Sequence, residues 1–182
     1  MKKFYILFFI VIIINIIFLF INPDGGSNKI PSKNSLKAGL VFDVGGRGDK
    51  SFNDSAYNGL MRAVKELGIY AEYIEPGEGA DRESAIRILA SKKFDIIIGI
   101  GFIFTDDIKN IAEEYPEVKF AGVDYVVLQD ENGADIAPPK NVAALKFKEE
   151  EGSFLVGALA ALSSKTGKIG FVGGMDIPLI NK

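Results

Sequence analysis

Residues 37–74 read KAGLVFDVGGRGDKSFNDSAYNGLMRAVKELGIYAEYI, and this stretch decides the fold. Residues 38–42 are apolar or glycine and run up to Asp43, so the spacing predicts a strand over 37–43. A glycine-rich turn follows. Ala56, Leu60, Ala63, Val64 and Leu67 then recur at helical spacing, which predicts a helix over 52–67 with one core-facing stripe. Residues 69–74 return to strand composition. Strand, helix and strand in that order make a βαβ unit, whose two strands lie parallel with a right-handed crossover.

The rhythm continues downstream. A helix is expected over 81–91, a strand over 95–99, a helix over 105–115 with Ile108, Ile111, Ala112 and Tyr115 on one face, and a strand over 118–123. Ile96, Ile97 and Ile98 form an unbroken apolar run, as expected of a central strand covered on both sides. The fold class is therefore α/β: a Rossmann-like parallel sheet with helices on both faces. Residues 126–140 (VVLQDENGADIAPPK) break the rhythm with acids, Gly and Pro-Pro. It resumes with a strand over 141–147, a helix over 149–164 carrying Phe154, Leu155, Ala158, Leu159 and Leu162 on one face, and a strand over 168–172. That last strand has no following helix to cover it, so residues 148–182 read as the incomplete start of a second lobe, after a first lobe over 37–147.

Upstream, residues 4–21 are apolar except for Asn15 and follow Lys2 and Lys3, the layout of an export segment. As a helix it would reach roughly 27 Å at 1.5 Å per residue, close to the ~30 Å hydrocarbon layer. Residues 1–21 are thus expected to tether the chain to the outer face of the cell membrane, with 22–36 as a flexible linker rich in Pro, Gly, Ser and Asn.

Composition removes whole classes of function. With no Cys and no His, thiol nucleophiles, disulfides, imidazole metal sites and Ser-His-Asp triads are excluded. The net charge of -3, with both signs scattered, offers no basic stripe for a phosphate backbone, so nucleic acid is not a partner. A carboxylate-only enzyme remains, with Asp43, Asp49 and Asp54 around a hard cation such as Mg2+; a turn, a cap and a cleft wall account for the same acids more simply.

In an open parallel sheet, ligands bind beyond the carboxyl ends of the strands. Those ends carry Asp43 with the loop through Lys50, Phe102 with Phe104, and Asp124 with Tyr125. The loop after Asp43 has neither of the usual phosphate-binding glycine spacings, and its aspartates would repel phosphate. Arg47-Gly48-Asp49 matches a cell-adhesion tripeptide by chance. Ser51 with Asp54 reads as a helix N-cap followed by an acid. Phe52 lies in the first turn beside the sheet edge, where an apolar ring either packs or meets a ligand, and Asn53 offers both donors and acceptors.

The run from Ala38 to Gly59, containing Asp49-Lys50-Ser51-Phe52-Asn53-Asp54, closely resembles the basic membrane protein family, the purine-nucleoside receptor lipoproteins of ABC transporters. So do Gly99-Ile100-Gly101-Phe102, Phe120-Ala121-Gly122-Val123-Asp124, Glu150 to Gly157 and Gly167 to Asp176. The resemblance implies a type I periplasmic-binding-protein fold of two lobes with the ligand between them. It implies that Phe52 stacks on the purine, adding about 1 kcal/mol beyond area burial. Asn53 and Asp124 would hydrogen-bond the base, Asp43 would line the cleft, and Phe102 would form part of its wall. The implied partners are a purine nucleoside such as inosine or guanosine and the permease subunits of an ABC importer; no cofactor, metal or catalytic residue is implied. Members usually carry a lipobox Cys, which this sequence lacks, so tethering is expected through the hydrophobic segment. Members also carry a full second lobe, so a truncated regulator or interaction protein, binding a partner through an uncovered surface, is the alternative.

Overall fold

The computed structural model describes residues 35–77, 82–127, 129–177 and 180–181. The export segment over 4–21 and nearly all of the linker over 22–36 lie outside these residues. Among the described residues no helix is long and apolar enough to cross a membrane.

Along the chain the elements are β1 (Lys37–Val41), α1 (Phe52–Leu67), β2 (Tyr70–Ile74), α2 (Arg82–Ser91), β3 (Ile96–Ile100), a 3-10 turn (Phe102–Phe104), α3 (Thr105–Glu114), β4 (Lys119–Val123), β5 (Val142–Leu145) and α4 (Glu149–Ser163). All five strands are parallel, in the order β2-β1-β3-β4-β5, with Leu40 opposite Ile98 and Ile98 opposite Ala121. The chain moves outward from β1 to β2 and then returns to the other side of β1. This reversal leaves a crevice at the carboxyl ends of β1 and β3, where open α/β sheets bind ligands.

Strand alternation divides the core between two faces. Val41, Ile97 and Phe120 pack with Ile86 and Leu89 of α2 and Ile108 and Ile111 of α3. Leu40, Phe42 and Ile100 pack with Leu60 of α1, flanked by Ala56, Tyr57 and Met61. The expected helices on both faces are present. Asn141 secures the far edge: its Nδ2 donates to the carbonyls of Ala112, Tyr115 and Val118 at 2.9, 3.2 and 3.0 Å, tying the end of α3 to the start of β5.

Three expectations need correction. Residues 168–172 form no strand, because a strand is held by its ladder and no described strand lies beside them. Leu67, expected on the core stripe of α1, is 74% exposed, since it is the last helical residue before Gly68 turns the chain in the left-handed conformation. Ser51 does not cap α1 through its hydroxyl. Asp49 supplies the cap instead, its carboxylate accepting from the backbone N–H groups of Ser51, Asn53 and Asp54 at 2.9, 2.8 and 3.1 Å.

These N–H groups, led by that of Ser51 and then that of Asn53, hold the Asp49 carboxyl below its ordinary value of 3.8. A depressed folded-state pKa stabilises above the unfolded value and stops doing so as pH falls through the folded one. Asp49→Asn is therefore expected to lower the urea midpoint at neutral pH. The gap from the parent protein should close on acidification below about pH 4; a gap independent of pH would mean that the charge on Asp49 does not support the helix.

Candidate functional site

Two glycine positions fold the loops back onto the sheet. Gly99 and Gly122 are register partners on β3 and β4. A Cβ on Gly99 would lie 2.9 Å from Phe104, and one on Gly122 would lie 2.6 Å from the Tyr125 ring. The missing methyl groups let Phe104 and Tyr125 pack down into the core, where both are buried. These two aromatic residues, read from the sequence as strand-end candidates, support the site from below.

Thr105 joins the two loops. Its hydroxyl donates to the Phe102 carbonyl at 2.8 Å and accepts from the Val126 N–H at 3.0 Å, while Gly101 N–H donates to the Val123 carbonyl at 3.1 Å. Gly101 has φ 112, which favours glycine, and a Cβ there would fall 2.6 Å from Asp43 Oδ2. The loops after β1, β3 and β4 therefore meet at Gly101. Asp124, immediately beyond β4, is itself left-handed at φ 57. Non-glycine residues adopt this conformation uncommonly, with Asp and Asn among the readier ones.

A cavity of about 210 Å³ opens where these loops converge, lined by Asp43, Phe52, Gly101, Phe102 and Asp124, with Gly174, Met175, Ile177 and Ile180 from the C-terminal segment. Four of the five residues singled out from the sequence thus share one lining. Asn53, the fifth, is 3% exposed and is not part of it. Its Oδ1 accepts from the Asp43 N–H at 3.0 Å, and its backbone N–H donates to the Asp49 carboxylate at 2.8 Å. Asn53 thereby braces the backbone of Asp43 from behind. Thr105, Gly101 and the C-terminal apolar residues were not singled out from the sequence. Gly101 and Gly174 lie in the quoted family motifs, whereas Thr105 looks like any helix-start threonine.

The charge in the lining is acidic. Burial raises the Asp43 carboxyl above its ordinary 3.8, against the lowering effects of the Val44 N–H, which it accepts at 2.6 Å, and of the positive charge on Arg82. Arg82 Nε pairs with Asp107 at 3.5 Å. The lining thus combines two carboxylates with two aromatic rings. Such a surface suits a flat, uncharged solute with donor groups on its edge. Asp49 and Asp54 take up backbone N–H groups with their carboxylates, so the three acids of the metal-enzyme alternative do not act as one ligand set.

Comparison with known proteins agrees with this architecture. The family profile described as ABC transporter substrate-binding protein PnrA-like (Bmp) matches residues 36–182. An uncharacterized lipoprotein of Pyrococcus abyssi is 39% identical over 159 residues, 85% of this chain and 37% of that protein. The ABC transporter nucleoside-binding protein BmpA of Lactococcus lactis is 33% identical over 165 residues, 88% of this chain and 44% of that protein. A crystal structure of an ABC transporter system solute-binding protein from Aeropyrum pernix superposes with a TM-score of 0.64 at 36% identity, covering 79% of this chain and 39% of that one. The chain spans less than half the length of these relatives. Solute binding, rather than catalysis, characterises the group. With the profile matching from the start of β1 to the final residue, the chain belongs to the Bmp family, the PnrA-like ABC transporter substrate-binding proteins.

Proposed function

We propose that this chain supplies the base-binding wall of a purine-nucleoside receptor that delivers its ligand to the permease subunits of an ABC importer. Residues 37–147 form the first lobe and 148–182 begin the second, with the N-terminal segment holding the protein at the outer face of the cell membrane. The observation that carries the reading is the meeting of Phe52, Phe102, Asp43 and Asp124 around one cavity. Phe52 stacks on the purine, Phe102 closes the side, and Asp124 accepts hydrogen bonds from donors on the base edge. Asp43 accepts from a second donor, held in place by Asn53. The nucleoside-binding relative in Lactococcus lactis supports the same ligand class.

Titration of the full chain with inosine, guanosine, uridine and ribose, followed by amide NMR, tests it. Both purine nucleosides should shift the amides around Gly101 and Asp124, uridine less, and ribose not at all. Equal responses to all four, or none to either purine, would rule the reading out.

A further inference from the structure

Phe102 and Asp124 reach the cavity from different loops, and those loops are fastened together at two points. Ahead of both residues, the Gly101 N–H donates to the Val123 carbonyl at 3.1 Å. This link extends the ladder between β3 and β4, whose register runs to Ile100 opposite Val123, so the sheet itself supplies it. Beyond both residues, the Thr105 hydroxyl donates to the Phe102 carbonyl at 2.8 Å and accepts from the Val126 N–H at 3.0 Å. That second link depends on one side chain.

Thr105 opens α3, where a side-chain oxygen commonly accepts from an N–H of its own first turn. Here the oxygen accepts from Val126, 21 residues further along the chain, and the proton goes back to Phe102. The position demands a group that donates and accepts at once, which a hydroxyl does and a methyl cannot. Thr105 is 6% exposed, so water is poorly placed to take over either bond. Asp124 depends on the same link. Its left-handed backbone, φ 57, is a sparsely populated conformation that persists where the surroundings over-determine it, and the bonds at Val123 and Val126 flank it on either side.

We infer that Thr105 is a positioning residue of the binding site: its hydroxyl fixes the spacing between the Phe102 wall and the Asp124 acceptor, and so sets ligand affinity from outside the cavity lining. This rests on the nucleoside reading and adds to it a residue that the ligand does not touch. Thr105→Val keeps the branched shape and removes both bonds. The Phe102 carbonyl and the Val126 N–H then find new partners only if the two loops shift, and hydrogen bonds from Asp124 to the base weaken steeply once their alignment is lost.

Isothermal titration of the full chain with inosine tests this on the parent, Thr105→Val, Thr105→Ser, Asp124→Asn and the Thr105→Val/Asp124→Asn pair. Thr105→Val should weaken binding about tenfold. Thr105→Ser, which keeps donor and acceptor, should recover all but about threefold of the parent affinity. In the Asp124→Asn background the valine substitution should cost less than about threefold, because the interaction through which Thr105 acts is already impaired. A threonine that only stabilised the fold would cost the same in both backgrounds. Should Thr105→Val lose its native amide dispersion, Thr105→Cys, a weaker donor and acceptor, takes its place and should bind inosine more weakly than Thr105→Ser.

Parent affinity in Thr105→Val, equal losses in the serine variant and the valine or cysteine one, or a loss undiminished in the Asp124→Asn background would each overturn the inference while sparing the nucleoside reading. If inosine fails to bind the parent, the nucleoside reading falls and takes the positioning role with it.

Discussion

Phe52→Ala and Asp124→Ala are each expected to weaken inosine binding by about 10- to 100-fold, with the fold retained. For Asp124 the size follows from losing hydrogen bonds to a charged acceptor, about 1.5–3 kcal/mol. For Phe52 it follows from losing a buried aromatic face together with its stacking geometry. The left-handed backbone at Asp124 complicates the alanine variant, since Ala is less at ease there than Asp. Asp124→Asn separates the two effects: Asn tolerates the conformation and keeps the shape, but loses the charge. Isothermal titration of the parent and the three variants should place Asn between Asp and Ala. Full affinity in Asp124→Asn and Asp124→Ala would remove the carboxylate from the binding account.

Ile97→Ala is expected to be the most damaging core truncation, costing about 2–5 kcal/mol. Ile97 is 0% exposed on β3, the central strand of the sheet, among the side chains of β1, β4, α2 and α3. A void there has no nearby surface onto which it can collapse. Leu67→Ala removes a side chain of the same size from an exposed helix end and should cost less than about 0.5 kcal/mol. Urea unfolding of the two variants should therefore separate widely. Similar midpoints would mean that the division of the core between the two sheet faces is wrong.

Much of this was legible in the sequence because the β-strands and helices announce themselves by different periods. The run Ile96–Ile98 marked the central strand, and the five strands of the sheet and their helices lie where the alternation placed them, with ends shifted by a residue or two. Residues 168–172 misled because their composition suits a strand while pairing depends on a neighbour that composition cannot reveal. Leu67 misled because a helical stripe continues in sequence after the sheet beneath it has ended.

The site was legible to the extent that topology fixes it. Any residue just past a strand's carboxyl end reaches the same rim, which is why Asp43, Phe102 and Asp124 could be named without coordinates. The roles of Asp49 and Asn53 could not be read in this way. Asp49 lies just before α1 and Asn53 in its first turn, and which carboxylate caps the helix, or whether an amide faces solvent or the Asp43 backbone, depends on loop torsions that leave no periodic trace. Gly101 and Thr105 are legible only after the loops are seen to touch.

The central claim is that the loops after β1, β3 and β4 together form the ligand wall. Intermolecular NOEs between inosine and the full chain test it most directly: the purine H2 and H8 protons should show contacts to the Phe52 ring, with the largest amide shifts at Gly101 and Asp124. Contacts mapping instead to the apolar side chains of α4, with Phe52 unperturbed, would contradict it.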